Sequence, residues 1–591
     1  MGDDPTQQVA NGRTTLGIEL GSTRIKACLV DEDLVPIAAG SHEWENEFVD
    51  GRWTYSLDAV ETGLRAAYAA LVADVEAQFG VRPTTFRAVG VSAMMHGYLA
   101  FDAAGDLLVP FRTWRNTSTG PAAEQLSEAL AFNVPLRWSI AHLYQAVLDE
   151  EPHVGEVAGI TTLAGYVHRR LTGRNVLGVG DASGVFPIEG GPVDSGPGDP
   201  GSRGWDEHML ATTQALLGEH VPDLRAVLPE VLVAGEEAGS LTPEGAAWLD
   251  PTGTLEPGAP LCPPEGDAGT GMVATNAVAP RTGNVSVGTS IFAMVVLEHP
   301  LSTPHEELDV VTTPAGDAVA MVHCNNGASE IASWAKVFGR FAEAAGQPLD
   351  VDTVYATLLT ESIADSTDLD AGGLLSFNYL AGEPVTHVED GRPLLLRTPD
   401  ARFTLGNLVR SEVHGAFATL AIGMDVLHGE RVQVDRMTAH GGLFRTPGAP
   451  QRLLAAALRV PIALEETAGE GGAWGIAVLA AYLEHTDQQL ADFLSDTVFG
   501  GDAVHVAEPE PADVDGFQTY LGRYRAALPV QAVAAAATGP ETTGTAAAAA
   551  TGPETTGTGA AAAPGADATT TRGEGTAGAE PRLPAEQEVT R

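Results

Sequence analysis

One short device occurs twice in this chain, at its start and near its middle. Thr15 to Leu20 and Ile25 to Val30 are β-rich runs joined by the turn Gly21-Ser22-Thr23-Arg24, and Gly283 to Leu297 is a second strand-turn-strand with Gly288-Thr289-Ser290 at its turn. After the first copy, Leu57 to Phe79 carries apolar residues at helical spacing, and Phe86 to Val91 is another β-rich run. Hairpin, helix and strand in that order predict an α/β arrangement. A chain that opens both halves this way is expected to form two similar α/β domains facing each other across a cleft, with a boundary at about Val278 to Gly283. The second half continues with a helical pattern from Asn407 to Leu427 and a strand into His440-Gly441-Gly442. It closes with a helix opened by Gly471-Gly472-Ala473-Trp474-Gly475 and running through Leu483. Between the copies, Gly190 to Gly204 reads as a surface loop, and Pro263 to Asn276 as a turn passing into a small-residue helix.

The 591 residues correspond to several ordinary domains or two large ones. Composition breaks near Leu528: the rest is mostly Ala, Gly, Thr, Pro and Glu, without aromatic residues, and TGPETTGT occurs at Thr538 to Thr545 and again at Thr551 to Thr558. Such a segment cannot offset its ordering entropy by burial, so residues 529–591 are expected to be disordered, as are residues 1–13. Gly573 to Gly578 satisfies G-x-G-x-x-G with no strand before it and no apolar helix after it, which marks a chance match.

Lys plus Arg number 32 against 78 Asp plus Glu, a formal net charge of −46, which repels a phosphate backbone or an anionic membrane. Nucleic acid and membrane are therefore excluded as partners, and the acidic excess reads as a solvated surface. The only lysines are Lys26 and Lys336, neither in a Walker-type loop, so a P-loop kinase is excluded. Cys28, Cys262 and Cys324 are scattered and odd in number, against a disulfide framework or a zinc site. Met1 to Arg13 has no apolar core of a leader and no stretch is apolar enough for a span, so a cytoplasmic location is expected.

Without a P-loop, phosphate can be held by turns. Gly21, Ser22 and Thr23 offer backbone N–H groups and hydroxyls; Gly288, Thr289 and Ser290 offer the same from the other half, and Gly441-Gly442 leaves room for adenine or ribose. Either turn alone is an ordinary hairpin. Together they describe a nucleotide cleft.

Several markers stand in one order: Gly17 to Thr23 (GIELGST), Met95-His96-Gly97, Trp114 with the polar residues after it, Gly266-Asp267, Ser286 to Ser290 (SVGTS), Gly441-Gly442 and Gly471 to Gly475. In this order the sequence, from about Thr15 to about Leu528, resembles the FGGY family of carbohydrate kinases, and within it the xylulokinase-like ketopentose kinases. The resemblance implies two ribonuclease-H-like (actin-like ATPase) domains with sugar and MgATP between them. It divides the chain into residues 14–279, holding the sugar and the base, and 280–528, holding the nucleotide. Asp267 resembles the general base that takes the proton of a primary sugar hydroxyl as its oxygen attacks the γ-phosphate; on its own it also reads as a helix cap. Glu19 stands where the family carries Asp to help hold Mg²⁺, one methylene longer. Met95, His96, Trp114 and Asn116 fall where the family contacts sugar, with Asn116 in place of a commoner Asp and Ala268 in place of an Asn. Glu330, with Asn325 and Asn326 before Trp334 on a helix expected to face the cleft, is a further sugar contact; Asp181-Ala182-Ser183-Gly184 and Trp205-Asp206 read as structural.

The implied activity is ATP-dependent phosphorylation of a ketopentose at its terminal primary hydroxyl, D-xylulose to D-xylulose 5-phosphate first and L-ribulose second, with other polyols and sugar acids behind. Two readings of other classes stand beside it. One is a catalytically weak sugar-binding or regulatory relative, against which Asp267 argues. The other is an actin-like ATPase, which leaves Met95-His96-Gly97 and Gly266-Asp267 unexplained. A monomer or homodimer is expected.

Overall fold

The structure, a computed structural model, describes residues 4–189, 204–221, 223–446, 448–464, 471–500 and 505–539. Most of the Gly190 to Gly204 loop, the glycine match at Gly573 to Gly578 and the tail from residue 540 lie outside them.

The first correction comes at the N-terminus. Asp4 accepts the amide of Thr6 at 3.1 Å and opens helix α1 (Pro5–Ala10). Gln8 and Val9 are buried, and the Gln8 amide oxygen accepts the Glu32 amide at 2.8 Å. Buried side chains with partners secure a segment that composition marks as disordered.

Strands β1 (Thr15–Leu20), β2 (Arg24–Val30) and β3 (Pro36–Glu43) form an antiparallel meander. Helix α2 (Leu57–Phe79) starts at Ser56, whose hydroxyl accepts the Ala59 amide at 3.1 Å, and stops at Gly80 with φ 68°. Val60, Leu64, Ala67, Leu71 and Val75 give it a buried stripe. Strand β4 (Ala88–Ala93) returns parallel to β1. A short helix, α3 (Val179–Ala182), and the two-residue strand β5 (Glu265–Gly266), parallel to β4, lead into helix α4 (Asp267–Ala274). The order in this five-stranded sheet is β3-β2-β1-β4-β5.

The second sheet repeats the plan. Strands β6 (Thr282–Val287) and β7 (Ile291–Val296) are an antiparallel hairpin, and β8 (Asp309–Thr312) and β9 (Ala318–Cys324) extend it. Helix α5 (Ser329–Ala344) and the long buried helix α6 (Leu405–Gly429) precede β10 (Arg436–His440), parallel to β6, and β11 (Ile462–Leu464), parallel to β10. With β12 (His505–Ala507) the seven-stranded order is β8-β9-β7-β6-β10-β11-β12. Its middle, β9-β7-β6-β10-β11, has the strand order and directions of the first sheet. The repeated hairpin is thus the start of a repeated sheet.

The sequence boundary near residue 280 separates the sheets but not the packing. Helix α7 (Gly471–Ala481) lies between β11 and β12 of the second sheet in sequence yet is buried against β1, β4 and α4 of the first. Glycines permit the approach: a Cβ at Gly17 would overlap the Ala473 carbonyl, and one at Gly475 the Thr270 carbonyl. Residues Met1–Thr543 form one compact unit holding both sheets.

The expected tail is corrected over its first residues, since Val530–Thr538 form helix α8. The Gln531 amide accepts from Arg392 N at 2.8 Å and donates to Arg392 O at 3.1 Å, and Arg392 Nε donates to the Thr538 hydroxyl at 2.6 Å. Among the described residues no helix is long and apolar enough to cross a membrane.

Candidate active site

The carboxyl ends of the three parallel strands of the first sheet converge, the place where open α/β sheets bind ligands. β1 delivers Glu19 and the Gly21 turn, β4 delivers Met95 and His96, and β5 delivers Asp267. Asp267 is the first residue of α4, near the positive end of the helix dipole. Its Oδ1 accepts the amides of Met95 at 3.1 Å and Ala268 at 3.0 Å, while no hydrogen bond is made to Oδ2 among the described residues. The side chain is exposed to solvent on one side and surrounded by protein on the others. That enclosure, helped by the charge of Glu19, pushes its pKa up to about 6 against the lowering effect of the two amides.

Met95 is itself buried, its side chain packed on Gly266 and Gly184. The expected sugar contact is therefore corrected to a supporting one, because its amide holds Asp267 while its side chain fills the space beneath. His96 has φ 69°, a left-handed backbone uncommon outside glycine, and Nδ1 lies 3.3 Å from the Gly184 carbonyl. Burial, with Arg137 and His323 nearby, drives its pKa well below the ordinary histidine value. The ring is thus neutral, with Nδ1 as donor and Nε2 left as an acceptor.

Trp114 is half-buried, and Arg112, two residues before it, exchanges backbone hydrogen bonds with Tyr98, two residues after His96, at 2.8 and 3.2 Å. The Arg115 guanidinium lies 4.7 Å from the centre of the Trp53 ring and 5.7 Å from that of Trp114. Asn116 departs from its expected role. Its Oδ1 accepts Trp53 N at 2.9 Å and its Nδ2 donates to Trp53 O at 2.8 Å and Thr113 O at 3.0 Å. Its polar atoms are spent on backbone, tying the Arg52–Thr54 strand to the Trp114 segment.

The Gly21 turn is held from behind. Trp44 Nε1 donates to Gly21 O at 2.8 Å, the Tyr55 hydroxyl to Ser22 O at 2.6 Å and Trp44 N to Thr23 O at 3.1 Å. With the carbonyls drawn back, the Ser22 and Thr23 amides and hydroxyls form the turn's outer rim. Glu19 faces Lys26 across the hairpin, Oε2 to Nζ at 3.9 Å, and a Cβ at Gly472 would lie 2.6 Å from its Oε1. Sequence reasoning passed over Lys26 because it sought lysine in a Walker loop. The signal was the hairpin register, which sets residues 19 and 26 opposite each other. Glu265, also missed, carries the signal of an acid in an otherwise apolar run two residues before Asp267.

The second turn is built likewise. Gly327 N donates to Thr289 O at 2.7 Å and Ala328 N to Gly288 O at 2.8 Å, while Ser290 O accepts from Gly288 N at 3.0 Å. Gly441, φ 109°, lies where a Cβ would overlap the Val287 carbonyl, and the space around a Cβ at Gly442 is open. The structure therefore brings Gly288, Thr289, Ser290, Gly441 and Gly442 together at the carboxyl ends of β6 and β10. Glu330 falls on this side, in the first turn of α5 just after Gly327, where its charge is felt by the buried Glu412 of α6. Glu330 therefore stands with the second sheet, apart from Asp267 and His96 of the first.

The sequence profile of the FGGY family of carbohydrate kinases matches this chain twice, its N-terminal domain over residues 14–254 and its C-terminal domain over residues 283–484. A protein named xylulose kinase from Escherichia coli (strain K12) is 22% identical over 534 residues, 88% of this chain and 100% of that protein. One of the same name from Klebsiella pneumoniae is 22% identical over 451 residues, 72% of this chain and 81% of that protein. Among solved structures, a xylulose-type kinase from Brucella ovis superposes with TM-score 0.70 at 21% identity, covering 88% of this chain and 99% of that one. A gluconate kinase from Lactobacillus acidophilus gives TM-score 0.70 at 16% identity over 89% and 99%. Two α/β sheets of one strand order, on a chain whose two halves match the two domains of one family over most of its length, place this protein in the FGGY family of carbohydrate kinases.

Proposed function

We propose that this chain transfers the γ-phosphate of ATP to the terminal primary hydroxyl of a ketopentose, D-xylulose first and L-ribulose second. The observation that carries the reading is the Asp267 carboxylate, fixed at one oxygen by two amides and without a hydrogen bond at the other among the described residues. Oδ2 takes the proton of the sugar hydroxyl as its oxygen attacks the γ-phosphorus in line. Neutral His96 accepts a hydrogen bond from a sugar hydroxyl at Nε2, and the Trp114 ring packs on sugar C–H groups. Ser22 and Thr23 hold the phosphate end of ATP with the Lys26 cation beside them, and the second turn with Gly441 and Gly442 takes the rest of the nucleotide. Xylulose as acceptor is supported by the names of both relatives, at 22% identity.

The residues present fit Mg²⁺. Glu19 offers a hard carboxylate oxygen at the end of β1, two residues before the phosphate turn, as suits an ion held mainly by phosphate oxygens and water. Glu19 would hold the ion, which when bound neutralises charge on the phosphates.

The test is a coupled ADP-release assay with Mg²⁺ and ATP across D-xylulose, L-ribulose, D-ribulose, glycerol and gluconate, with a no-sugar control. Turnover led by D-xylulose is expected. Turnover on gluconate or glycerol alone reassigns the acceptor, and equal ADP release in every well overturns the sugar-kinase reading for this chain.

A further inference from the structure

Behind Asp267 the chain buries two more carboxyl groups that the reaction above leaves unused. Glu265 is 1% exposed; its Oε2 accepts the Asp181 amide at 2.9 Å and its Oε1 the Gly180 amide at 3.3 Å. Three glycines make room for it. A Cβ at Gly178 or Gly180 would overlap the carboxylate, and one at Gly269, in the first turn of α4, would lie 3.4 Å from Oε2. Asp181 is fully buried: Oδ2 accepts the Thr162 hydroxyl at 2.5 Å, and Oδ1 has no hydrogen-bond partner among the described residues.

No basic side chain forms an ion pair with either carboxyl among the described residues. The charged groups that act on them are acids: Asp267 on Asp181, and Asp181 on Glu265, with the Cys262 thiol also beside Glu265. Asp267 in turn feels Glu19 of β1, which is paired with Lys26 of β2. Two carboxylates cannot both stay ionised in such a place without a cation, so a proton resides on the pair. Burial accordingly pushes Asp181 up to about 7 and Glu265 up to about 8.

The segment they pin reaches further. Gly178 N donates to Pro264 O at 2.8 Å, next to Glu265, and the Gly184 carbonyl meets His96 Nδ1 at 3.3 Å. The Thr312 hydroxyl at the end of β8 donates to Val179 O at 2.9 Å, and its amide to the Ser183 hydroxyl at 3.0 Å. The arch 178–184 thus touches the base-bearing corner, the acceptor histidine and the second sheet.

We infer that Glu265 and Asp181 are positioning residues for the base: a protonated carboxyl pair that locks the β5–α4 corner to the 178–184 arch and fixes the direction of the Asp267 carboxylate. This rests on Asp267 being the base of the proposed reaction. Misdirection of a reacting group slows the chemical step more than it weakens binding.

The test uses the full chain with Glu265→Ala, Glu265→Gln and Asp181→Asn, assayed for ADP release and melted across pH 5.5 to 8.5. Glu265→Ala should lower kcat by about ten- to a hundredfold with KM for sugar and ATP little changed. Glu265→Gln should recover most of that loss, because its amide oxygen still accepts one arch N–H. In the melts, a carboxyl that keeps its proton on folding makes stability fall as pH rises through its raised pKa. That slope should be shallower in Glu265→Gln and Asp181→Asn than in the wild type. Wild-type kcat in Glu265→Ala, a loss shared equally by kcat and KM, or an unchanged melting slope in both amide variants overturns the inference. Asp267→Asn is the control: if it keeps full turnover the base assignment fails, while the melting slopes still report on the pair.

Discussion

In the proposed reaction Asp267 is the side chain on which the chemistry turns, and its place at a helix start was legible because its neighbours are. Gly266 before it and small residues after it leave a carboxylate at a helix start with open space, a local property that the sequence carries. Replacing it by Asn should lower kcat by about 10²–10⁴-fold with sugar binding retained, measured by ADP release and by tryptophan fluorescence. In the wild type kcat/KM should fall as pH drops through about 6, where the carboxylate gains its proton and can no longer accept one from the sugar. Asn116 was misread for the opposite reason. Its partners Trp53 and Thr113 are fixed by the fold, and nothing at position 116 announces which backbone its amide will meet. Asn116→Ala should cost about 1–3 kcal/mol of stability, since it strands buried backbone groups, and shift the denaturant midpoint. A rise in the sugar KM at unchanged stability would restore its sugar role. Which sheet Glu330 accompanies was likewise illegible, because it depends on where Gly327 docks on the second turn.

At the level of elements, the hairpins, α2, α6 and β10 could be read from periodicity and punctuation, and each was found within a few residues of its expected bounds. The placement of α7 could not. Gly471-Gly472 signals a helix start, but its docking on β1 is encoded jointly by Gly17, Gly90 and Gly475, far apart in the chain and meaningful only once backbones meet. Gly475→Ala should therefore destabilise the protein by about 1–3 kcal/mol through overpacking against the Thr270 carbonyl, read from urea unfolding. The same change also presses on α4, so turnover should fall with it. Helix α8 shows the limit of composition: an Ala-rich segment is held where Gln531 replaces a β-type partner for Arg392.

For the whole molecule, acidity is the property that both sequence and structure express, on different scales. The formal net charge is −46, and burial pushes the pKa of four interior carboxyls, Asp181, Glu265, Glu383 and Glu412, up to about 7 or 8. These groups bind protons in the native state that the unfolded chain releases above about pH 4 to 5, so each contributes stability at low pH that is lost as pH rises through its folded value. Surface self-repulsion grows in the same direction. The melting temperature should therefore decline from about pH 6 to pH 8.5, and salt should recover the surface share of the loss but not the buried share. A flat profile would mean that these interior carboxyls are ionised.

The clasp between Thr312 and the arch has a consequence in the thermodynamics of ligand pairs. A ligand that shifts β8 does work on Val179 and Ser183, and through them on the His96 and Asp267 corners. Free energy spent there is a state function, so the traffic runs both ways: the factor by which nucleotide sharpens affinity for the acceptor must equal the factor by which acceptor sharpens affinity for nucleotide. Removing the Thr312 hydroxyl, and with it the bond to Val179 O, should weaken that shared factor.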